Sequence, residues 1–182
     1  MAAPPIPTTT NTTPHHVGDP SISFYTYTDD DDDNKEPMKI PPKHLNIVWG
    51  GDSRYWKVPD HEESSVELNQ VCWLEVTGSV EGTRPNKQYQ VGFHVSFTPD
   101  AFGWGGSPLY IMVKRGKDGK SVWRKLLLNP DQTKECDITA TTTTNTNPHS
   151  NDPKLYFGLY EVWSGKWKGG LKIHHAFIRQ LP

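Results

Sequence analysis

YQVGFHVSF, Tyr89 to Phe97, alternates without a break. Tyr89, Val91, Phe93, Val95 and Phe97 fall on one side, and Gln90, Gly92, His94 and Ser96 on the other. Such a period of two is the signature of a half-buried β-strand. Its register is strongly set, because a one-residue slip would turn five large apolar groups into water. Upstream, Val66 to Val76 reads as another strand. Val66, Leu68, Gln70, Cys72, Leu74 and Val76 share one face, and Val71, Trp73 and Glu75 the other. A strand apolar on both faces is expected to be covered on both sides, so Trp73 is expected in the core. Leu45, Ile47 and Trp49 alternate with Asn46 and Val48 in a third, shorter run.

Downstream, Leu109 to Lys114 and Val122 to Leu128 flank Gly116-Lys117-Asp118-Gly119, which predicts a hairpin. Leu155 to Val162 and Leu171 to Ile178 flank the turn Ser164-Gly165-Lys166. Many short strands with regular turn signals and no convincing helix predict an all-β protein, a sandwich or a barrel. Residues 1–42 are rich in Pro, Thr and Asn, and carry the acidic run Asp29 to Asp33. They are expected to form a disordered tail ahead of a domain at 43–182, because they offer too little apolar surface to offset chain entropy. Within the tail, Ser21 to Thr28 alternates, and reads either as an added strand or as a docking segment. Residues 129–152 lose all pattern and are expected to be a disordered loop.

The chain has 182 residues, 34% hydrophobic residues and a net charge of −2. Nothing globally basic draws it to nucleic acid or to an anionic membrane. No apolar run approaches the roughly 20 residues that span a bilayer, so no membrane insertion is expected. MAAPPIPTTT has neither a charged n-region nor an apolar h-region, so no signal peptide is read there. A cytoplasmic chain is expected, present also in the nucleus. Cys72 and Cys136 are then read as free thiols, with a Cys72–Cys136 bridge as the alternative.

Gly50-Gly51-Asp52-Ser53 reads as a turn, followed by Arg54, Tyr55 and Trp56. Trp49 and Trp56 therefore flank a polar turn. Aromatic faces beside fixed hydrogen-bonding groups suit sugars, whose C–H faces pack on rings while hydroxyls bond polar atoms. Asp52 and Ser53 have a plainer reading, as residues that hold turns by bonding their own backbone. Arg54 either bonds ligand or pairs with a carboxylate such as Glu75. Trp104, among the glycines of Phe102 to Gly106, is a candidate second stacking face.

Three segments together resemble a known family. WGGDSRYW (49–56), VELNQVCWLEVTG (66–78) and GLYEVWSGKWKGGL (158–171) are similar, in the same order, to the phloem protein 2 family of plants, which includes the Nictaba-like lectins. The resemblance covers most of Lys43 to Arg179. It implies an antiparallel β-sandwich of jelly-roll-like form, a lectin of plant defence present also in the phloem sap, a homodimer that binds N-acetylglucosamine oligomers (chitin fragments) and, in some members, N-glycans on glycoproteins. It also implies that the aromatic residues of the first motif contact sugar. Glu161 matches the glutamate of the family's Glu-Val-x-x-x-x-Trp-Lys motif, so the resemblance implies that it faces ligand. Its structural reading is an ion pair with Lys166 or Lys168.

Two departures count against sugar binding. The family's Trp-Met-Glu-Ile strand and Gly-Glu-Phe turn are missing near 129–152. His174-His175-Ala176 stands where the family commonly has a glycine. The alternative function is thus a protein- or RNA-interaction module of the same fold, in phloem or stress response. Lys114, Arg115, Lys117, Lys120, Arg124 and Lys125 form the basic patch that a weak RNA contact would use. Catalysis is not expected. There is no Gly-x-Ser-x-Gly elbow, no phosphate-cradling Gly-Lys-Ser/Thr loop and no His-Glu-x-x-His. No metal and no cofactor is expected. His174 and His175, adjacent in a strand, are expected on opposite faces.

Overall fold

The structure, a computed structural model, describes residues 13–19, 36–61, 64–84, 87–131, 134–142 and 152–182. It is an all-β sandwich of two antiparallel sheets. The strands are β1 (Met38–Ile40), β2 (Asn46–Ile47), β3 (Trp56–Lys57), β4 (Val66–Leu68), β5 (Leu74–Val80), β6 (Tyr89–Phe102), β7 (Leu109–Arg115), β8 (Val122–Leu126), β9 (Glu135–Thr141), β10 (Leu155–Glu161) and β11 (Gly169–Gln180). One sheet runs β3-β4-β11-β6-β9, with β1 also on β11, and the other runs β2-β5-β10-β7-β8. Among the described residues, no helix is long and apolar enough to cross a membrane.

The alternating run at Tyr89 becomes the centre of the first sheet. β6 pairs along its length with β11 and on its other side with β9. Tyr89, Val91, Phe93 and Val95 are fully buried. They meet Leu155, Phe157 and Leu159 of the facing sheet in one core, with the Phe93 and Phe157 rings edge to face at 5.9 Å. Each such ring hides a large apolar area, so this contact anchors the two sheets to each other.

The run from Val66 to Val76 is not one strand. β4 lies in the first sheet and β5 in the second. Between them the chain is tied by Asn69, whose amide donates to the Ser53 carbonyl at 2.9 Å and whose N–H donates to the Tyr55 carbonyl at 2.8 Å. Val71 then exchanges both backbone bonds with Lys168 at 2.9 Å. The polar residues that interrupt the pattern are thus the crossing point between sheets. Leu74, Val76 and Val80 turn inward, as their alternation demands. Trp73 faces solvent instead of the expected core. It is 46% exposed, with its indole N–H on the Glu75 carboxylate at 2.9 Å. One face of β5 is covered, not two.

Parts of the expected loop at 129–152 and of the expected tail at 1–42 are strand. Glu135–Thr141 is β9, in register with Gln90–Ser96, and its burial alternates, with Ile138 and Ala140 inward. In the tail, β1 pairs with β11, and His16 bridges Ile47. Ser21 to Thr28, the acidic run Asp29 to Asp33 and residues 143–151 lie outside the described residues.

Cys72 and Cys136 are both free. A register shift between Ile173 and His175 breaks the simple alternation of β11. His174 and His175 therefore do not part to opposite faces. Their rings lie 5.3 and 5.1 Å from that of His94, which bonds Asp137 at 2.7 Å and Glu135 at 2.5 Å. Burial lowers the His94 pKa, but the two carboxylates outweigh it and leave it above its ordinary value. Among the described residues, no His, Cys, Asp or Glu cluster has the geometry to hold a metal ion.

Candidate functional site

β2 ends at Ile47, and the chain then turns twice. Gly50 N–H donates to the Ile47 carbonyl at 2.9 Å, and Asp52 N–H to the Trp49 carbonyl at 3.1 Å. The left-handed residue in this turn is not a glycine. Trp49 has φ of 64°, and no other described non-glycine residue has a positive φ. A bulky side chain rarely takes that conformation, and such strain gathers at functional sites. Gly50 and Gly51 serve a different need. A Cβ on Gly50 would stand 2.7 Å from His16 Cβ, and one on Gly51 2.4 Å from the Thr13 carbonyl oxygen. The two glycines let the N-terminal segment lie against the turn.

That segment makes specific contacts. Trp49 N–H donates to His15 Nδ1 at 2.9 Å, and Gly51 N–H to the Pro14 carbonyl at 3.1 Å. The His15 ring meets the Trp49 edge at 5.1 Å. Tyr55 packs at 5.6 Å from Trp49. Trp49 remains 38% exposed, braced by two neighbouring rings. His15 could not be found from the sequence, because it lies in a composition-biased tail 34 positions away.

Asp52 and Arg54 form a clamp across the turn. Arg54 Nε donates to Asp52 Oδ1 at 3.0 Å, and Nη2 to Oδ2 at 2.7 Å. Asp52, not Glu75, is thus the carboxylate that Arg54 pairs with. These bonds hold the Asp52 carboxyl below its ordinary value and push the Arg54 guanidinium up. The guanidinium also lies 5.4 Å from the Tyr55 ring centre, and Ser53 is exposed beside it. A cleft of about 320 Å³ opens next to this turn, lined by Gly50, Gly51, Ser53, Trp56, Lys57, Val58 and Pro59. The last three carry no motif, and only the fold brings them there.

The structure brings Trp49, Asp52, Ser53, Arg54 and Tyr55 together. It places the other candidates elsewhere. Trp56 is 1% exposed and packs in the core, so it offers no ring face for stacking. Its indole N–H is buried with no partner among the described residues, although the residue lines the cleft. Trp104 is buried too, with its N–H on the Gly169 carbonyl at 2.9 Å and its ring against Phe97. Gly103 beside it admits close packing, since a Cβ there would stand 2.0 Å from the Trp167 carbonyl oxygen. Glu161 is buried and ion-paired to the buried Lys168. It also accepts from Ser164 N–H at 3.0 Å and Ser164 Oγ at 2.8 Å. These bonds hold the Glu161 carboxylate inside the fold.

A family model for Phloem protein 2 matches residues 35–180. The chain belongs to the phloem protein 2 family. Phloem protein 2-like A9 of Arabidopsis thaliana is 39% identical over 92% of the chain and 96% of the relative. Phloem protein 2-like A1 of Arabidopsis thaliana is 27% identical over 82% of the chain and 63% of the relative. Among solved structures, a CBM4 structure aligns with 83% of the chain and 98% of its own at 12% identity and a TM-score of 0.46. A family 35 carbohydrate binding module from Clostridium thermocellum aligns with 79% and 98% at 14% identity and a TM-score of 0.43. In this phloem protein 2 chain the first motif, 49–56, holds both the strained tryptophan and the Asp52–Arg54 clamp. The third motif, 158–171, supplies buried ion-pair partners instead.

Proposed function

We propose that this protein is a non-enzymatic lectin that binds N-acetylglucosamine oligomers, or the core of N-glycans, at the Trp49 turn. The observation that carries this reading is Trp49 itself, a tryptophan held at positive φ with its ring presented to solvent. A sugar's C–H face stacks on that ring, and Tyr55 takes the acetamide methyl. Arg54 Nη1, which no described acceptor takes up, and the Ser53 hydroxyl bond sugar hydroxyls. Because Asp52 already fixes the guanidinium, little side-chain freedom is lost on binding. A shallow site of this kind binds in the micromolar-to-millimolar range. A homodimer then gains strength through avidity.

A second reading has its own support. His15 and Pro14 occupy the Trp49 and Gly51 N–H donors, which favours a module that keeps the fold and has given up sugar. Isothermal titration with tri-N-acetylchitotriose separates the two. Saturating heat is expected for the native chain. Trp49→Ala should weaken binding at least ~10-fold, the scale of one lost stacking contact, with an unchanged melting temperature. No heat up to millimolar sugar, for both the native chain and His15→Ala, would establish the second reading.

A further inference from the structure

The outward face of the β5-β10-β7-β8 sheet is not built like a solvated surface. Antiparallel register sets Trp123, Met112, Gly158 and Thr77 side by side. The adjacent row is Lys125, Tyr110, Tyr160 and Glu75. Just past the end of β10, Trp163 closes onto Tyr110 at 4.8 Å and onto Trp123 at 5.9 Å. Trp123 meets Tyr160 at 5.3 Å. Trp123 is 48% exposed and Trp163 is 60% exposed. A single-sided sheet normally turns polar residues to water. A contiguous field of half-exposed rings marks an interaction surface.

The rings are held in place before any ligand arrives. Tyr160 lies across Gly158, where a Cβ would come within 2.6 Å of its ring. Burial, with a smaller push from the Glu75 charge, moves the Tyr160 phenol up to about 12, so it stays an O–H donor. Trp73 donates to Glu75 at the far end of the row. Edge-to-face bracing of this sort limits the ordering cost of binding.

Charge selects the occupant. The β7–β8 hairpin borders this face with Lys114, Lys117, Lys120 and Lys125. Lys114 reaches over the Tyr156 ring at 5.5 Å. Among the described residues, Lys120 and Lys125 pair with no carboxylate. The opposite border carries Glu75, Thr77 and Ser79, which suit hydroxyl groups. The face therefore runs from cation through aromatic ring to hydroxyl-binding edge.

We propose that this face binds an acidic glycan, a uronate-bearing polysaccharide chain. Its sugar C–H faces stack on Trp163, Trp123 and Tyr110, and its carboxylates meet Lys125 and Lys114. A nucleic-acid strand also stacks on aromatics beside basic groups. It fits less well here, because the rings pack on one another rather than opening slots for bases. None of these residues belongs to the Trp49 turn, so the proposal stands or falls separately from the reading above.

The test is titration of the full chain with an oligogalacturonate and with its methyl ester, followed by tryptophan fluorescence at low and high salt. The acidic oligomer should saturate, and its methyl ester should bind about tenfold more weakly. Added salt should weaken the first and not the second. Trp163→Ala should lower affinity about tenfold or more, the scale of one lost stacking contact. Lys125→Glu should lower it several-fold, with Trp49→Ala unchanged. Trp163 is too exposed for its loss to unfold the chain, and Lys125→Glu gives an independent surface variant. Any of these results overturns the proposal: no saturation at millimolar oligomer, equal affinity for the methyl ester, undiminished binding by both variants, or silence toward uronate beside Trp163-dependent binding of a single-stranded RNA. Trp163-dependent dimerisation without uronate binding would also overturn it, by assigning the face to a second copy.

Discussion

Glu161→Ala should destabilise the fold by about 3–5 kcal/mol, the usual cost of removing one partner from a buried ion pair. Lys168 is fully buried, and among the described residues its ammonium contacts only the Glu161 carboxylate and, at 2.7 Å, the Lys166 carbonyl. Without the carboxylate a cation stays in the core with one neutral acceptor. Lys168 is also the residue whose backbone exchanges bonds with Val71 where the chain changes sheet. Urea titration should show a lower midpoint at unchanged slope. A Glu161→Ala/Lys168→Met double variant should recover most of the loss, because apolar replacement of both partners leaves no charge unpaired.

Acid exposes the same pair. Burial pushes the Glu161 carboxyl up, but Lys168 and the two Ser164 bonds outweigh it and hold it below its ordinary 4.5. A carboxylate depressed in the folded state contributes stability that is complete above about pH 4.5 and is lost as pH falls through the folded value. The native chain should weaken in that window, and Glu161→Ala should lose that part of the dependence. A variant within 1 kcal/mol of native would instead restore the ligand-facing role that the family motif implies.

The sheets were legible because their signal is local. The alternation at Tyr89 to Phe97 and the hairpin at Gly116 to Gly119 depend only on neighbours in sequence, and both stand in the structure. β9 was faint, because two of its inward side chains, Cys136 and Ala140, are small and the threonines from Thr141 to Thr144 blur its end, although Cys136, Ile138 and Ala140 alternate with Glu135, Asp137, Thr139 and Thr141. Trp73 was misjudged for a related reason. An apolar side chain on both faces of a strand suggests two covers, but one face here is a surface of exposed rings. The site was half legible. Trp49 to Tyr55 are contiguous, so their shared turn could be read. His15, Val58 and Pro59 reach it only through tertiary contacts, which no spacing rule reports. Trp56 and Trp104 show the limit of reading exposure from glycine neighbours, since glycine admits a buried ring as readily as a mobile loop.

Trp56 should divide fold from function when it is changed in two ways. Trp56→Ala should cost about 3–5 kcal/mol, as large-to-small core changes do, since Trp56 is 1% exposed and paired in register with Leu68. Loss of sugar binding in that variant would therefore say nothing about contact. Trp56→Phe keeps most of the ring and removes the indole N–H, which is buried without a partner. An unsatisfied buried donor costs about 1–3 kcal/mol, so its removal offsets part of the lost volume, and stability should fall by less than half as much as in the alanine variant. Trp56 also lines the cleft beside Trp49. If a bound sugar oxygen satisfies this donor, Trp56→Phe should bind tri-N-acetylchitotriose about tenfold more weakly, the worth of one buried hydrogen bond. A phenylalanine variant that folds and binds as the native chain does would confine recognition to Trp49, Tyr55 and the Asp52–Arg54 clamp.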